Sequence, residues 1–240
     1  MKRSGLLFAV LITVVRMADA GTCVSATLDN YITLGTVGCS IGNNTLFGFQ
    51  ELMGQTGATQ IATSSIFVTP SGGSVNPTVQ FATSLTANFP IFDEALINYQ
   101  IKGNLYASET VVLGITSSSN GGFGTSVQNY CPNGKFSADG VTGCPSDQSG
   151  THNVLVNFNS GSASVTFAGQ PTSLSITNDY VLDASGGGSV TGGSVTNSFV
   201  AISAIPEPGT YLLTGFTVLI GLVIKSRRIS RSRLTEVNHE

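Results

Sequence analysis

The pentapeptide GCSIG at residues 38–42 is a stretch of the sequence that matches a catalytic pattern. It fits G-x-S-x-G, in which the serine of an α/β-hydrolase stands on a strained turn between a strand and a helix. That turn follows several strands, whereas seventeen residues separate Gly38 from the end of the signal peptide predicted below. A triad of Ser40 with His152 and an aspartate on another fold stays an alternative, because triads recur by geometry. The favoured interpretation is a glycine-flanked turn beside Cys39.

The acidic residues offer two further kinds of chemistry. Asp93 and Glu94 are adjacent, so on a strand they point to opposite faces, whereas the carboxyl groups of glycosidases face each other across about 5–10 Å. Either acid would need a partner from elsewhere in the fold. Asn133, Asp139-Gly140 and Asp147 supply the hard oxygen ligands that calcium prefers, but not in the D-x-[DN]-x-[DN]-G order. We expect a solvated loop and no metal site there, with calcium as the alternative.

Other residue types exclude several classes of site. The chain has two histidines, His152 and His239, and the second lies in the C-terminal tail, so sites built from several histidines of one chain are excluded. Gly134-Lys135 lacks the upstream glycine of a phosphate-binding P-loop, and the glycines at 186–188 indicate a flexible turn. The sequence therefore predicts no catalytic residues, no cofactor and no enzymatic activity.

The charge of the central region restricts its partners. Residues 21–205 contain nine acids and two bases, a net charge of −7, and the other eight bases lie near the two ends. A nucleic-acid-binding domain needs clustered lysines and arginines to displace phosphate counterions, so a nucleic-acid partner is excluded. An apolar fraction of 41% argues against intrinsic disorder.

The four cysteines are Cys23, Cys39, Cys131 and Cys144, and an even number in an exported protein indicates two disulfides. Three connectivities are possible, and proximity in sequence favours Cys23–Cys39 and Cys131–Cys144. Each loop would contribute about 3 kcal/mol by restricting the unfolded chain. Zinc is less favoured, because its sites use C-x₂₋₄-C pairs and both spacings here are longer.

The elements that position these residues are predicted to be strands. Apolar and polar residues alternate with a period of two, which is typical of half-buried strands, at 97–101, 154–158, 165–167 and 174–176. Further strands are expected at 46–52, 60–69, 78–87, 105–116 and 195–203. A helix is expected near 27–34, and a small hairpin at 189–196 around two glycines. About nine or ten strands with glycine-rich turns predict an all-β fold, an antiparallel, jelly-roll-like β-sandwich over residues 21–203.

Residues 1–20 are typical of a secretory signal peptide. Lys2 and Arg3 form the positive region, and residues 6–15 form an apolar stretch too short to span a bilayer, which takes about 20 residues. Ala18-Asp19-Ala20 is a small-x-small cleavage site that would leave Gly21 as the new N-terminus. An uncleaved anchor and a buried first strand are the alternatives.

Residues 204–240 form a second targeting segment. Pro206, Glu207 and Pro208 precede an apolar helix predicted at 210–224, about 21 Å long and therefore shorter than a hydrocarbon core of roughly 30 Å. The tail at 225–240 begins with a basic cluster: Lys225, Arg227, Arg228, Arg231 and Arg233. These bases favour a cytoplasmic C-terminal end, which places the central region outside.

The tripeptide, the short helix and the arginine-rich end together resemble the PEP-CTERM sorting signal of Gram-negative bacteria, over about residues 206–233. The resemblance implies recognition of residues 206–208 by an exosortase, an integral-membrane cysteine protease or transpeptidase, while the helix lies transiently in the inner membrane. It implies delivery to the cell surface or the extracellular matrix, with extracellular polysaccharide as a possible partner. Residues 234–240 extend beyond the point where many members end. An ordinary single-pass C-terminal anchor is the alternative.

These features predict an exported protein of the cell surface or matrix, with a structural or interaction role and no catalytic activity. A lectin-like carbohydrate-binding module, with or without calcium, is the first alternative and rests on an analogy of fold. A secreted hydrolase that uses Ser40 or the acidic residues is the second alternative.

Overall fold

The computed structural model of the chain describes residues 20–145, 149–156 and 160–202, and at 152–156 it describes the backbone alone. Ala18, the sorting tripeptide at 206–208, the helix predicted at 210–224 and the basic tail lie outside these residues and stay predictions. In the ranges that the structure covers, no helix is long and apolar enough to cross a membrane.

The described chain confirms the predicted all-β class and contains fifteen strands, one α-helix and one 3-10 turn. In chain order these are β1 (Gly21–Thr22), β2 (Ala26–Thr27), α1 (Leu28–Thr33), β3 (Cys39–Ile41), β4 (Asn44–Leu52), β5 (Thr59–Gln60), the 3-10 turn (Thr63–Ser65), β6 (Phe67–Ser71), β7 (Thr78–Ala82), β8 (Thr86–Asn88), β9 (Phe92–Lys102), β10 (Leu105–Ser119), β11 (Phe123–Pro132), β12 (Gly150–Val156), β13 (Ser160–Thr166), β14 (Ser173–Asp183) and β15 (Ser189–Ile202).

The strands form two sheets packed face to face. The first sheet has the order β1-β3-β4-β9-β14-β11-β12, with β5 beside β9. The second has the order β13-β10-β15-β7-β6-β2, with β8 beside β15. Neighbouring strands are antiparallel except in the short pairs β1–β3 and β5–β9. The two sheets therefore form the sandwich that the alternating pattern predicts.

The core lies between the sheets and contains a cluster of aromatic rings. Phe49 of β4 stacks on Tyr99 of β9 with ring centroids 5.3 Å apart, and Phe81 of β7 contacts the same tyrosine at 5.6 Å. Tyr31 of α1 meets Phe49 edge-on at 4.9 Å. Leu28 and Tyr31 are three residues apart and share the buried face of α1, which explains the short helix predicted here.

Both disulfides that proximity in sequence favours are formed. Cys23 is bonded to Cys39 on β3, and Cys131 at the end of β11 is bonded to Cys144. The first attaches the N-terminal segment to the first sheet. The second closes the loop at 133–145, which packs on the outer face of that sheet where Thr177 donates a hydrogen bond to the Gly140 carbonyl at 2.6 Å.

The hairpin predicted at 189–196 is wrong, because β15 runs without interruption from Ser189 to Ile202. Its two glycines lie at irregularities in the pairing with β10, and a Cβ added at Gly193 would lie 2.4 Å from the Gly114 carbonyl oxygen. These glycines therefore permit close approach of two backbones and do not form a turn.

Two predicted strands are interrupted, and β11 is the longest of the described strands that were not predicted. The 3-10 turn at Thr63–Ser65 divides the strand expected at 60–69, and residues 83–85 divide the one expected at 78–87. At the second break the Thr83 amide donates to the Gly193 carbonyl. Strand β11 shows no apolar alternation because its inward positions are Gly124, Ser126 and Gln128. Gln128 on this polar inner face belongs to the principal site described below.

Candidate functional site

Ser40 and His152 do not form a catalytic pair. Residues 39–41 form strand β3, so the turn expected around Ser40 is wrong, and positive φ angles at Gly38 and Gly42 confine the turns to its two ends. Ser40 Oγ lies 3.3 Å from the Gly21 carbonyl oxygen, to which it donates. His152 lies on β12, five strand positions away across the first sheet, which corresponds to about 24 Å. The strand order therefore excludes the Ser40–His152 triad in this fold.

Asp93 and Glu94 lie on β9 as expected, and Glu94 has a partner that the sequence could not identify. Asp179 on β14 lies diagonally across from Glu94 on the outer face of the first sheet, and the two carboxyl groups form a hydrogen bond. The pKa of Asp179 is raised to about 7, chiefly by burial and in addition by the hydrogen bond to Glu94 and the charge of Glu94. A second carboxyl group in contact disfavours the ionised form of Asp179, which is the direction of this shift.

This acid pair does not have the geometry of a glycosidase site. Glu94 is 1% exposed and accepts a hydrogen bond from the Gln55 amide. The two carboxyl groups are in direct contact, whereas glycosidases leave about 5–10 Å between them for the substrate or a water molecule. The pair therefore attaches the loop at 53–58 to the sheet.

In the loop considered for calcium binding, the Asp139 carboxylate accepts hydrogen bonds from the loop itself. Asp139 accepts hydrogen bonds from the Val141 and Thr142 amides at 3.0 and 2.9 Å and from the Thr142 hydroxyl, and these bonds lower its pKa. Asn133 Oδ1 accepts from the Thr172 amide at 2.9 Å. Asp147 lies outside the described residues. Within 20–145, 149–156 and 160–202, no three His, Cys, Asp or Glu side chains are grouped so that they could hold a metal ion.

The principal polar cluster lies in the core between the sheets and was not predicted. Gln128 of β11 donates through Nε2 to Glu109 Oε1 and Asn197 Oδ1, both at 2.9 Å, and lies 3.1 Å from Asn178 Oδ1. Asn197 in turn donates to the Tyr99 hydroxyl at 2.7 Å. We call these five residues the core polar cluster. It connects the first sheet to the second by hydrogen bonds, whereas the surrounding contacts are apolar.

Glu109 is the ionisable centre of the core polar cluster. Its side chain is completely buried on β10, and burial raises its pKa to about 8, against the opposing effect of the Gln128 hydrogen bond. Glu109 is therefore protonated at neutral pH, which avoids the cost of an isolated buried charge. In the described part of the chain, Glu109 Oε2 has no hydrogen-bond partner. The site is closed to solvent, so its role is structural.

The outer face of the second sheet is covered with hydroxyl groups. We call it the hydroxyl face and define it by the outward polar residues Thr69, Ser71, Thr78, Gln80, Ser108, Thr110, Ser160, Ser162, Ser164, Thr166, Ser194, Thr196 and Ser198. Cross-strand hydrogen bonds order it, for example Thr110 to Ser164 at 2.8 Å.

No charged side chain points outward from the described strands of this sheet. Glu109 is the one charged residue in its seven strands, and it points into the core. Strands lie about 4.8 Å apart, and outward residues recur about every 6.8 Å along each strand. The result is a neutral, regularly spaced array of hydrogen-bond donors and acceptors. A run of Ser and Thr at alternate positions of 160–166 is the sequence signal from which β13 could have been recognised as part of this face.

Comparisons with known proteins identify no family. No family model matches the chain, and no curated protein matches it. Among solved structures, it is similar to the enzymatically active domain of tailspike protein 4 of bacteriophage CBA120, at 13% identity over 67% of this chain with a TM-score of 0.27. The matched part is 20% of that chain. A TM-score of this size does not establish a common fold, so no property of the tailspike domain is transferred.

Proposed function

We propose that this chain is an exported, non-catalytic protein of the cell surface or extracellular matrix, with a jelly-roll-like sandwich that makes structural contacts. An exosortase would recognise Pro206–Pro208 and process the chain at the inner membrane. The two disulfides support an oxidising location, since such bonds persist outside the cytosol. The net charge of −7 over residues 21–205 supports a role that does not involve binding of nucleic acid.

The hydroxyl face is the observation that carries the interaction role. A neutral polysaccharide presents hydroxyl groups without charge, and the hydroxyl face presents groups that can donate to and accept from them. A charged partner would instead lose hydration on this surface without gaining an opposite charge. We therefore propose that neutral matrix polysaccharide contacts the sandwich through the hydroxyl face.

A lectin-like module is the second candidate, and Phe67 favours it. This residue lies at the edge of the hydroxyl face on β6, and its side chain is 53% exposed. An exposed aromatic ring beside hydrogen-bonding groups could pack against one face of a sugar ring. Such a module would bind defined oligosaccharides, whereas a structural contact would require a polymer. Glycan arrays with and without calcium distinguish the two, because the lectin candidate requires binding to short glycans.

The sorting part of the proposal is tested on the protein made by its native host. Intact-mass measurement and C-terminal sequencing are applied separately to the membrane fraction and the medium. We expect a C-terminus near Pro206–Pro208, with an added mass if the product is attached to another molecule. A chain that still ends at Glu240 in the inner membrane would identify a plain C-terminal anchor and contradict exosortase processing.

The contact surface is tested with a matched pair of substitutions in the full-length chain, exported with its disulfides and kept in mild detergent. Thr196→Glu places a charge in the middle of the hydroxyl face, whereas Thr56→Glu makes the same change in the exposed loop at 53–58. We expect Thr196→Glu to abolish retention on insoluble neutral polysaccharide and Thr56→Glu to retain it. Equal retention of both variants, with unchanged thermal unfolding, would contradict the proposed surface.

A further inference from the structure

Lys102 and Lys135 are the two bases of residues 21–205, a region with nine acids. Both are exposed, and neither forms an ion pair with a carboxylate in the ranges that the structure describes. Asp139, which shares a loop with Lys135, uses its carboxylate to accept hydrogen bonds from that loop. The two positive charges of this acidic domain therefore remain available to an anion from outside.

The fold brings the two lysines to the same corner of the first sheet. Lys102 ends β9 and is paired with Ser173 of β14, and the Ser173 carbonyl accepts a hydrogen bond from the Asn133 amide at 2.8 Å. Lys102 and Asn133 are thus two strand positions apart, about 10 Å. Lys135 follows two residues later. In the sequence the two lysines are separated by two complete strands, β10 and β11.

An open groove of about 450 Å³ lies beside Lys102 and is lined by Thr45, Lys102, Gly103, Thr172 and Ser173. Its lining residues include one lysine and three residues that carry hydroxyl groups. The ammonium lies 4.8 Å from the centre of the Phe47 ring, which holds it over the outer face of the sheet. The groove therefore combines one positive charge with neutral hydrogen-bonding groups.

The backbone around the groove is held in place before any ligand binds. Gly103 has a φ of 146°, donates to the Thr172 carbonyl at 3.1 Å, and has no room for a side chain because a Cβ would lie 2.3 Å from the Asn43 carbonyl oxygen. Asn133 Oδ1 accepts from the Thr172 amide on the other side. Such preorganisation reduces the entropy lost on binding.

We propose that this lysine corner, defined by Lys102, Lys135 and the groove, binds carboxylate groups of an acidic polysaccharide. The ammonium groups attract the carboxylates, and Thr45, Thr172 and Ser173 hydrogen-bond the neighbouring sugar hydroxyls. A polymer suits the two separated charges better than a small anion, because several weak contacts along one chain add up by avidity. The proposal rests on the proposed location outside the cell, but it uses a different surface from the hydroxyl face.

The test measures retention of the full-length exported chain in mild detergent on a polyuronate matrix, with a neutral polysaccharide matrix in parallel. We expect Lys102→Gln or Lys135→Gln to weaken polyuronate binding by up to about fivefold, and the double variant by about tenfold, since one exposed ion pair contributes little. Binding by the wild type should fall steeply between low salt and 0.5 M salt, roughly as the Debye length shortens toward 3–5 Å.

Matched variants distinguish the effect of the charge at this corner on polyuronate binding from the effect of the net charge of the protein. The Lys102→Arg and Lys135→Arg variants should retain binding, and Thr56→Glu, which changes the net charge by the same amount as one Lys→Gln, should bind like the wild type. Unchanged polyuronate binding in the double Gln variant would overturn the proposal. So would exclusive binding to vesicles containing an anionic phospholipid. Thr196→Glu should lose only the neutral polymer, so failure of the hydroxyl-face proposal and failure of this one give different results.

Discussion

Glu109 and Gln128 show how a single polar contact can hold two sheets in one arrangement. Gln128 is on the first sheet, and its acceptors Glu109 and Asn197 are on the second, all in the core. A sliding of the sheets would break these bonds and leave buried polar atoms without partners, at about 1–3 kcal/mol each. The surrounding apolar side chains would tolerate the same displacement better, since their contacts are not directional. The core polar cluster therefore selects one packing of the sandwich.

The first prediction concerns the pH dependence of stability at Glu109. Its folded pKa of about 8 lies above the ordinary value of 4.5, so the folded state retains a proton that the unfolded chain has lost. The contribution of Glu109 is fully present below the unfolded pKa and is lost as the pH rises through 8, by up to about 1.4 kcal/mol per pH unit. Glu109→Gln should remove this dependence while keeping the shape of the side chain. Chemical denaturation from pH 5 to pH 9 measures it.

Asp179 provides the control for this prediction. Its folded pKa is also raised, to about 7, so its contribution is lost as the pH rises from its unfolded value to about 7. Asp179→Asn should reduce the slope of the profile below pH 7, where Glu109 still contributes, and leave the loss between pH 7 and 8. A Glu109→Gln profile that still falls between pH 7 and 8 as in the wild type would show that Glu109 is not the group responsible.

Among the described elements, β10 and β15 form the longest pairing, and it depends on small residues. The register is irregular between Gly114 and Ser117 of β10, opposite Gly192 and Gly193 of β15. The sequence suggested a turn there because two consecutive glycines often form one. In the folded chain glycine is required for a different reason. The Gly193 backbone lies so close to the Gly114 carbonyl that there is no room for a side chain.

The second prediction follows from this close approach. Gly193→Ala should lower the free energy of unfolding by about 1–3 kcal/mol, because its Cβ would meet backbone atoms that cannot move aside easily. Gly186→Ala is the matched control, since nothing lies within 4 Å of a Cβ at that position. It should change stability by less than about 1 kcal/mol. Urea denaturation of both variants measures the difference, and equal losses would contradict the packing described at β10–β15.

The third prediction concerns the Cys131–Cys144 disulfide and the loop that it closes. Replacing both cysteines by serine should cost about 3 kcal/mol, through the greater freedom of the unfolded chain. It should also increase hydrogen exchange at the Val141 and Thr142 amides, which the Asp139 carboxylate otherwise holds. Removal of Cys23–Cys39 should cost a similar amount but leave exchange at these two amides unchanged. Increased exchange there in both variants would show that the two disulfides do not act locally.

At the scale of the whole molecule, the outer faces of the two sheets differ in charge. The strands of the second sheet carry no outward charge within the described chain, whereas the first sheet carries Glu94, Asp179 and Lys102 outside its core. Ile202, the last residue of β15, is paired with Leu105, three residues after Lys102. The end of β15 and the lysine corner are therefore at the same end of the sandwich.

The fourth prediction separates sorting from folding. Glu207→Ala alters the tripeptide expected to be recognised by an exosortase, so the chain should keep Glu240 as its C-terminus and remain in the membrane fraction. The thermal unfolding of the sandwich should not change. Glu236→Ala makes the same substitution in the tail and should be processed normally. Intact mass and the unfolding midpoint are measured for both, and normal processing of Glu207→Ala would contradict recognition at this residue.

Local signals in the sequence were sufficient to predict several features of the fold. Alternation of apolar and polar residues predicted β9 and β14, and the two disulfides join cysteines that are close in sequence. Strand β11 was missed for a physical reason, because its inward positions carry polar or small side chains, among them Gln128, which donates to Glu109 and Asn197 across the core. Alternation identifies a strand only where burial is apolar.

By itself, the sequence determined the all-β class, the favoured disulfide pairing, the short helix α1 and the low positive charge of the central region. Each of these depends on composition or on residues near one another along the chain. Only the tertiary structure decided that Ser40 and His152 lie at different places in the sheet, that Glu94 meets Asp179, and that Lys102 and Lys135 share a corner. These relations depend on strand order and register, and a periodicity of two specifies which face a residue occupies but not which strand lies beside it.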